Sequence, residues 1–262
     1  MEDAIVRLSP WSLLYQGRYR EAFQACEVEI EALKRLPGDN SKYFLETEGT
    51  MAVCCEKLGD LQKSLALHQK VLEGQVRCYG TGHVSVAGTY VNMGVVHEKL
   101  GNYENALVHQ QKALEIYERA LGPSHASVAG TYNNIGMVLN SQKKFSDALE
   151  AYEKALKIKI QCLGSDHASV ATTEMNIGIV LKNQGDYEGA LLRYQKALAI
   201  QEVALGPSHV NVANTMFNMS LVWKQLGDHT KAMEFGRNAH AIYVTAVGPD
   251  HPHTQLIARS LQ

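Results

Sequence analysis

The chain has 262 residues, with 25 Lys and Arg against 27 Asp and Glu, a formal charge of -2, and 45% hydrophobic residues. That balance excludes wholesale disorder, and near-neutrality argues against a nucleic-acid partner or attachment to anionic lipid. Five cysteines, odd in number and without C-x-x-C spacing, argue against a disulfide framework or zinc cage, and no run of about 20 apolar residues is present to enter a membrane, so a soluble cytoplasmic protein is expected.

From the N-terminus, Glu2, Asp3 and Arg7 interrupt any apolar leader, and Ser9-Pro10 reads as an N-cap followed by proline at N1. A short helix over Trp11 to Gln16 is therefore expected inside a partial first unit, residues 1–37. The rest of the chain repeats. Glycine recurs at Gly38, Gly80, Gly122, Gly164, Gly206 and Gly248, each 42 residues after the last. A second series runs Gly17, Gly59, Gly101, Gly185 and Gly227, broken only by Lys143. Series of His (83, 125, 167, 209, 251), Asn (92, 134, 176, 218) and Thr (89, 131, 173, 215) share the period. The units fall at about 38–79, 80–121, 122–163, 164–205, 206–247 and 248–262, the last long enough only for a terminal helix.

Each unit reads as two helices. In residues 126–163, Val128, Tyr132, Ile135 and Leu139 form one apolar stripe, a turn follows at Ser141 to Lys144, and Phe145, Ala148, Leu149, Tyr152, Ala155 and Leu156 form a second. The turn glycines suit a backbone of positive φ, and Pro123, Pro207 and Pro249 stop the second helix from continuing. Gly94, Gly136, Gly178 and Ser220 sit mid-helix, where glycine costs about 1 kcal/mol against alanine. Close approach of the partner helix is the expected reason.

Chemistry-bearing patterns are sparse. Histidines in successive units stand at least one helix spacing apart, about 8–10 Å, too far to share a metal whose bonds are about 2 Å. They are expected at linker-to-helix junctions, where Ser124, Asp166, Ser208 or Asp250 would help cap the next helix. His97-Glu98 begins an H-E-x-x-H pattern that ends at Gly101, no phosphate-binding glycine loop occurs, and Cys54 and Cys55 read as small core residues. No catalytic residue, cofactor or metal site is expected, and the chain is read as a non-enzyme.

The N-x-G-x-V pattern of the first helix, G-x-Y-x-x-A-L at the turn, the Asn-Asn-Ile-Gly of residues 133–136 and the linker L-G-P-S-H-x-x-V-A resemble the tetratricopeptide repeat, in its 42-residue kinesin-light-chain variety. The resemblance runs from Gly17 to His251 and implies an all-α, right-handed α-solenoid of stacked antiparallel helix pairs. It also implies that Asn92, Asn134, Asn176 and Asn218 face a concave groove and grip the backbone of a bound peptide. A carboxamide suits that task because it both donates and accepts. The other reading of these asparagines is a hydrogen bond between neighbouring units that sets their pitch.

Around this series the groove positions comprise Asn133, Met175 and Phe217, then Val95, Met137, Ile179 and Leu221, then Lys182 and Lys224, which could receive acidic ligand residues. The apolar members read equally as core beneath the second helices. Gly88, Gly130 and Val91 stand where chaperone-binding relatives carry a carboxylate clamp, so that mode is not expected. The expected function is a non-enzymatic scaffold or adaptor that binds a protein or peptide segment. The alternative is a structural component of a larger assembly that self-associates or docks through its convex face or C-terminal end.

Overall fold

In the computed structural model, which describes residues 9–37 and 41–261, the regular structure is entirely helical. Gly38, first of the 42-residue glycine series, and the early charges Glu2, Asp3 and Arg7 lie outside the described residues. The chain divides into two compact units, residues 1–123 and 124–262.

The first unit holds α1 (Pro10–Tyr15), α2 (Tyr19–Arg35), α3 (Ser41–Leu58), α4 (Leu61–Tyr79), α5 (Val84–Lys99) and α6 (Tyr103–Leu121). The second holds α7 (Ala126–Ser141), α8 (Phe145–Leu163), α9 (Ala168–Gln184), α10 (Tyr187–Leu205), α11 (Val210–Gln225), α12 (His229–Val247) and α13 (Pro252–Ser260). Consecutive helices pair as antiparallel hairpins within each unit. In the first, α3 also lies beside α1 and α5; in the second, α9 lies beside α7 and α11, and α13 packs on α12. The odd-numbered helices thus line one face of each unit. No helix among the described residues is long and apolar enough to cross a membrane.

Helix boundaries follow from single residues. Ser9 caps α1 by accepting from the Ser12 N–H at 3.2 Å, with Pro10 at N1. At the helix ends, Gly164 has φ 87° and ψ 160°, a region essentially restricted to glycine. The turn inside each hairpin requires positive φ even where glycine is missing, and Lys143 adopts φ 60° there.

The caps of α5, α7, α9, α11 and α13 differ from the expectation. The histidines are themselves the N-caps. Nδ1 of His83, His125, His167, His209 and His251 accepts the backbone N–H two residues on, at 3.1–3.2 Å. An imidazole nitrogen held on an extended residue reaches the exposed N–H groups of the first turn as a short oxygen side chain does. Ser124, Asp166, Ser208 and Asp250 precede the last four of these caps, and Gly82 precedes the first.

Packing explains the mid-helix glycines. A Cβ built on Gly94 would meet Gln110 Nε2 at 2.5 Å, and one on Gly136 would meet the Tyr152 ring at 2.9 Å. The residue sixteen positions on fills the space that each glycine leaves open. The threonine series joins successive hairpins: Thr89 Oγ1 donates to Gln75 Oε1 (2.7 Å) and Thr215 Oγ1 to Gln201 Oε1 (2.7 Å), while Thr173 Oγ1 accepts from Lys159 Nζ (2.8 Å). Lys159 is buried, and burial lowers its pKa. Cys54 and Cys55 are buried in α3, where burial pushes the Cys54 thiol up to about 11.

Candidate functional site

In the second unit the expected groove residues sit on α7, α9 and α11. Asn134, Asn176 and Asn218 are all half-buried, one on each helix. Asn176 Nδ2 donates to Asn133 Oδ1 on the neighbouring helix at 3.2 Å, and further along the same two helices Asn183 Nδ2 donates to Asn140 Oδ1 at 3.2 Å. Asn218 Nδ2 donates within its own helix to the Asn214 carbonyl at 3.1 Å, while Asn214 Oδ1 accepts from the Tyr243 hydroxyl. One member of the asparagine series therefore hydrogen-bonds across to the neighbouring hairpin. That bond uses one donor of Asn176, leaving a second donor and acceptor capacity on the oxygen.

The apolar positions divide between core and surface. Met137 is exposed at 39%, with Asn133 Nδ2 lying 3.8 Å from its sulfur. Met175 and Ile179 pack against the cluster of Ala190, Leu191, Tyr194, Met219 and Val222, and Phe217 packs against Ala213, Ala239, Tyr243 and Ile257. Lys182 is half-buried and burial lowers its pKa, whereas Lys224 is exposed. Leu221 and Lys224 border a hollow of about 210 Å³ with Met233 and Leu261 near the C-terminal helix.

In the first unit Val95 and Asn92 are half-buried on α5. Asn92, Val91 and Gly88 line an open hollow of about 360 Å³, which α3 borders through Glu46, Gly49 and Thr50. Trp11 of α1 and Tyr117 of α6 supply aromatic rings, and His68 of α4 also lines it. His68 is 1% exposed, neither ring nitrogen has a hydrogen-bond partner, and burial pushes its pKa down to about 4. The imidazole is neutral at physiological pH.

Sequence reasoning passed over His68, although the 42-residue period carried a signal. His68, Gln110, Tyr152, Tyr194 and Gly236 form one more series, a position buried in every unit it visits. Among the described residues no group of three or more His, Cys, Asp or Glu is placed to hold a metal ion.

Comparisons with known proteins bear on the repeat and the fold. Residues 85–161 and 169–245, more than half of the chain, match the tetratricopeptide repeat family. Comparison with curated protein sequences gives no match. Among solved structures, BtubC (BKLC) from P. vanneervenii superposes with a TM-score of 0.74 at 22% identity, covering 89% of this chain and 94% of that one. The TPR-like repeats of a Podosopora anserina kinesin light chain give 0.64 at 17% identity, covering 79% and 97%. The quorum sensor NprR from B. thuringiensis gives 0.73 at 16% identity in its apo form, where the match covers 95% of this chain and 65% of that one. At such identities these likenesses concern the fold alone. With its 42-residue period, paired helices and glycine-tyrosine packing, the chain belongs to the tetratricopeptide repeat family.

Proposed function

We propose that this chain is a non-enzymatic protein-interaction scaffold that binds an extended peptide segment of a partner on the face lined by the odd-numbered helices of its second unit. The observation that carries this reading is the row of half-buried carboxamides, Asn134, Asn176 and Asn218, on three adjacent helices of the second unit. Half-burial leaves each amide within reach of a ligand while the surrounding apolar side chains reduce competition from water. A peptide backbone offers alternating donors and acceptors, and a carboxamide serves both. Exposed Met137 adds an adaptable apolar surface beside the amides, and Lys182 and Lys224 supply positive charge toward the C-terminal end. NprR, which shares the fold, has been solved with its cognate peptide NprX.

The test is selection of binders from a random peptide library displayed to the purified chain, followed by calorimetry on the synthetic winners. Micromolar affinity is expected, about -8 kcal/mol. Replacing Asn134 and Asn176 by Ala should weaken it about tenfold or more, with helical content by circular dichroism unchanged. Unchanged affinity in a folded variant overturns the assignment.

A second reading, docking of the outer helices in a larger assembly, draws on exposed apolar residues of α10, Leu192 at 55% and Val203 at 82%. Light scattering across concentration separates the two, because self-assembly predicts mass that grows with concentration.

A further inference from the structure

The hollow of the first unit combines features that the groove reading leaves unused. Its buried polar groups are paired, with one exception. Thr89 Oγ1 donates to Gln75 Oε1 at 2.7 Å, and Thr50 Oγ1 donates to the Glu46 carbonyl at 3.0 Å. His68, 1% exposed, has neither ring nitrogen paired. Burying such a group without partners costs about 1–3 kcal/mol, a cost that a ligand group reaching the ring would relieve.

The walls set the size and polarity of what enters. A Cβ on Gly49 would meet nothing within 4 Å, and one on Gly88 would meet only the Tyr117 hydroxyl at 3.5 Å, so backbone borders open space on two sides. Trp11, 56% exposed, and half-buried Tyr117 offer ring surface. Among the described residues the one charged group lining the hollow is Glu46, which disfavours an acidic occupant.

The ring chemistry then narrows the occupant. A neutral imidazole presents one donor and one acceptor. A hydroxyl matches either tautomer, whereas a carboxylate has no proton to give and an ammonium has no lone pair to accept with. An aliphatic hydroxyl or a carboxamide matches too, but it is too small to cover the Trp11 and Tyr117 rings in a space of about 360 Å³. We propose that this hollow is a side-chain subsite for a tyrosine carried by a non-acidic peptide segment, with His68 reading the phenol hydroxyl. The inference rests on the groove reading and extends it to the first unit, where it names the ligand chemistry.

The probes are N-acetyltyrosinamide and N-acetylphenylalaninamide, titrated into the full chain carrying ¹⁵N-labelled histidine. The tyrosine probe should bind about tenfold more tightly than the phenylalanine probe and shift the His68 ring nitrogen resonances. Gly49→Leu, which directs a side chain into the hollow and replaces a helical glycine, should abolish binding of both probes. Gly130→Leu, which also meets open space but lies on α7 of the second unit, should change neither. Equal affinity for the two probes, unmoved His68 resonances, or binding that survives Gly49→Leu overturns the subsite. Those failures leave the groove reading intact if library peptides still bind and Asn134→Ala with Asn176→Ala still weakens them. An absence of peptide binders overturns the groove reading.

Discussion

Gly178 of α9 lies directly against the ring of Tyr194 on α10, so close that a Cβ at residue 178 would stand 2.6 Å from Tyr194 Cε1. Tyr194 is fully buried beneath it. In the next hairpin the sizes are exchanged: Ser220 takes the position on the first helix, Gly236 takes the one on the second, and Leu261 fills the space above Gly236. Alanine at residue 178 would gain about 1 kcal/mol of helix propensity yet force an overpacked contact costing about 1–3 kcal/mol. Gly178→Ala is therefore expected to lower the urea midpoint, and adding Tyr194→Leu to recover part of the loss. Additive losses in the double variant would show that the two residues are not coupled.

Lys143 holds φ 60° where the other turns of its series hold glycine. A side chain in that conformation is strained and glycine is not. Lys143→Gly should stabilise the chain by about 0.5–1 kcal/mol, read as a higher denaturation midpoint with an unchanged m-value.

The histidine caps make a separate prediction. Removing the Nδ1 acceptor with His125→Ala leaves the Ser127 N–H without its partner and should cost about 1 kcal/mol. His125→Ser, which restores an oxygen acceptor, should recover most of that loss. If alanine and serine variants unfold at the same midpoint, the imidazole contributes nothing as a cap.

His68 sets a pH dependence. Its folded-state pKa, pushed down to about 4 by burial, lies below the ordinary value of 6.5. Above 6.5 the ring is neutral folded or unfolded and the effect vanishes. Between 6.5 and 4 the unfolded chain binds the proton and the folded chain does not, so stability falls as pH falls. The full difference amounts to about 3 kcal/mol at pH 4. Comparing wild type with His68→Gln at pH 7 and pH 5 by chemical denaturation isolates this contribution. An identical pH slope in the two proteins would show that the His68 ring titrates normally.

The repeat, the paired helices and their ends were legible in the residues because each depends on local backbone geometry. Gly164, at φ 87° and ψ 160°, occupies a conformation essentially restricted to glycine, so Gly80, Gly122, Gly164, Gly206 and Gly248, 42 residues apart, each mark a helix end without reference to anything distant. Proline at N1 and the positive-φ turns are local in the same way. The sequence puts the histidines at the linker-to-helix junctions with Ser124, Asp166, Ser208 or Asp250 helping to cap, yet the histidine beside each is itself the cap, a choice that rests on side-chain reach. What lies between helices required the tertiary structure. Asn176 and Asn133 are 43 residues apart, and whether their amides meet depends on how α7 and α9 stack. His68 shares its place in the 42-residue period with Gln110, Tyr152 and Tyr194, but the period does not say what its ring nitrogens meet. Only the packing of α3, α4 and α5 around it excludes water, leaves its two ring nitrogens unpaired and opens a hollow beside it, because burial belongs to the assembled fold rather than to the residue.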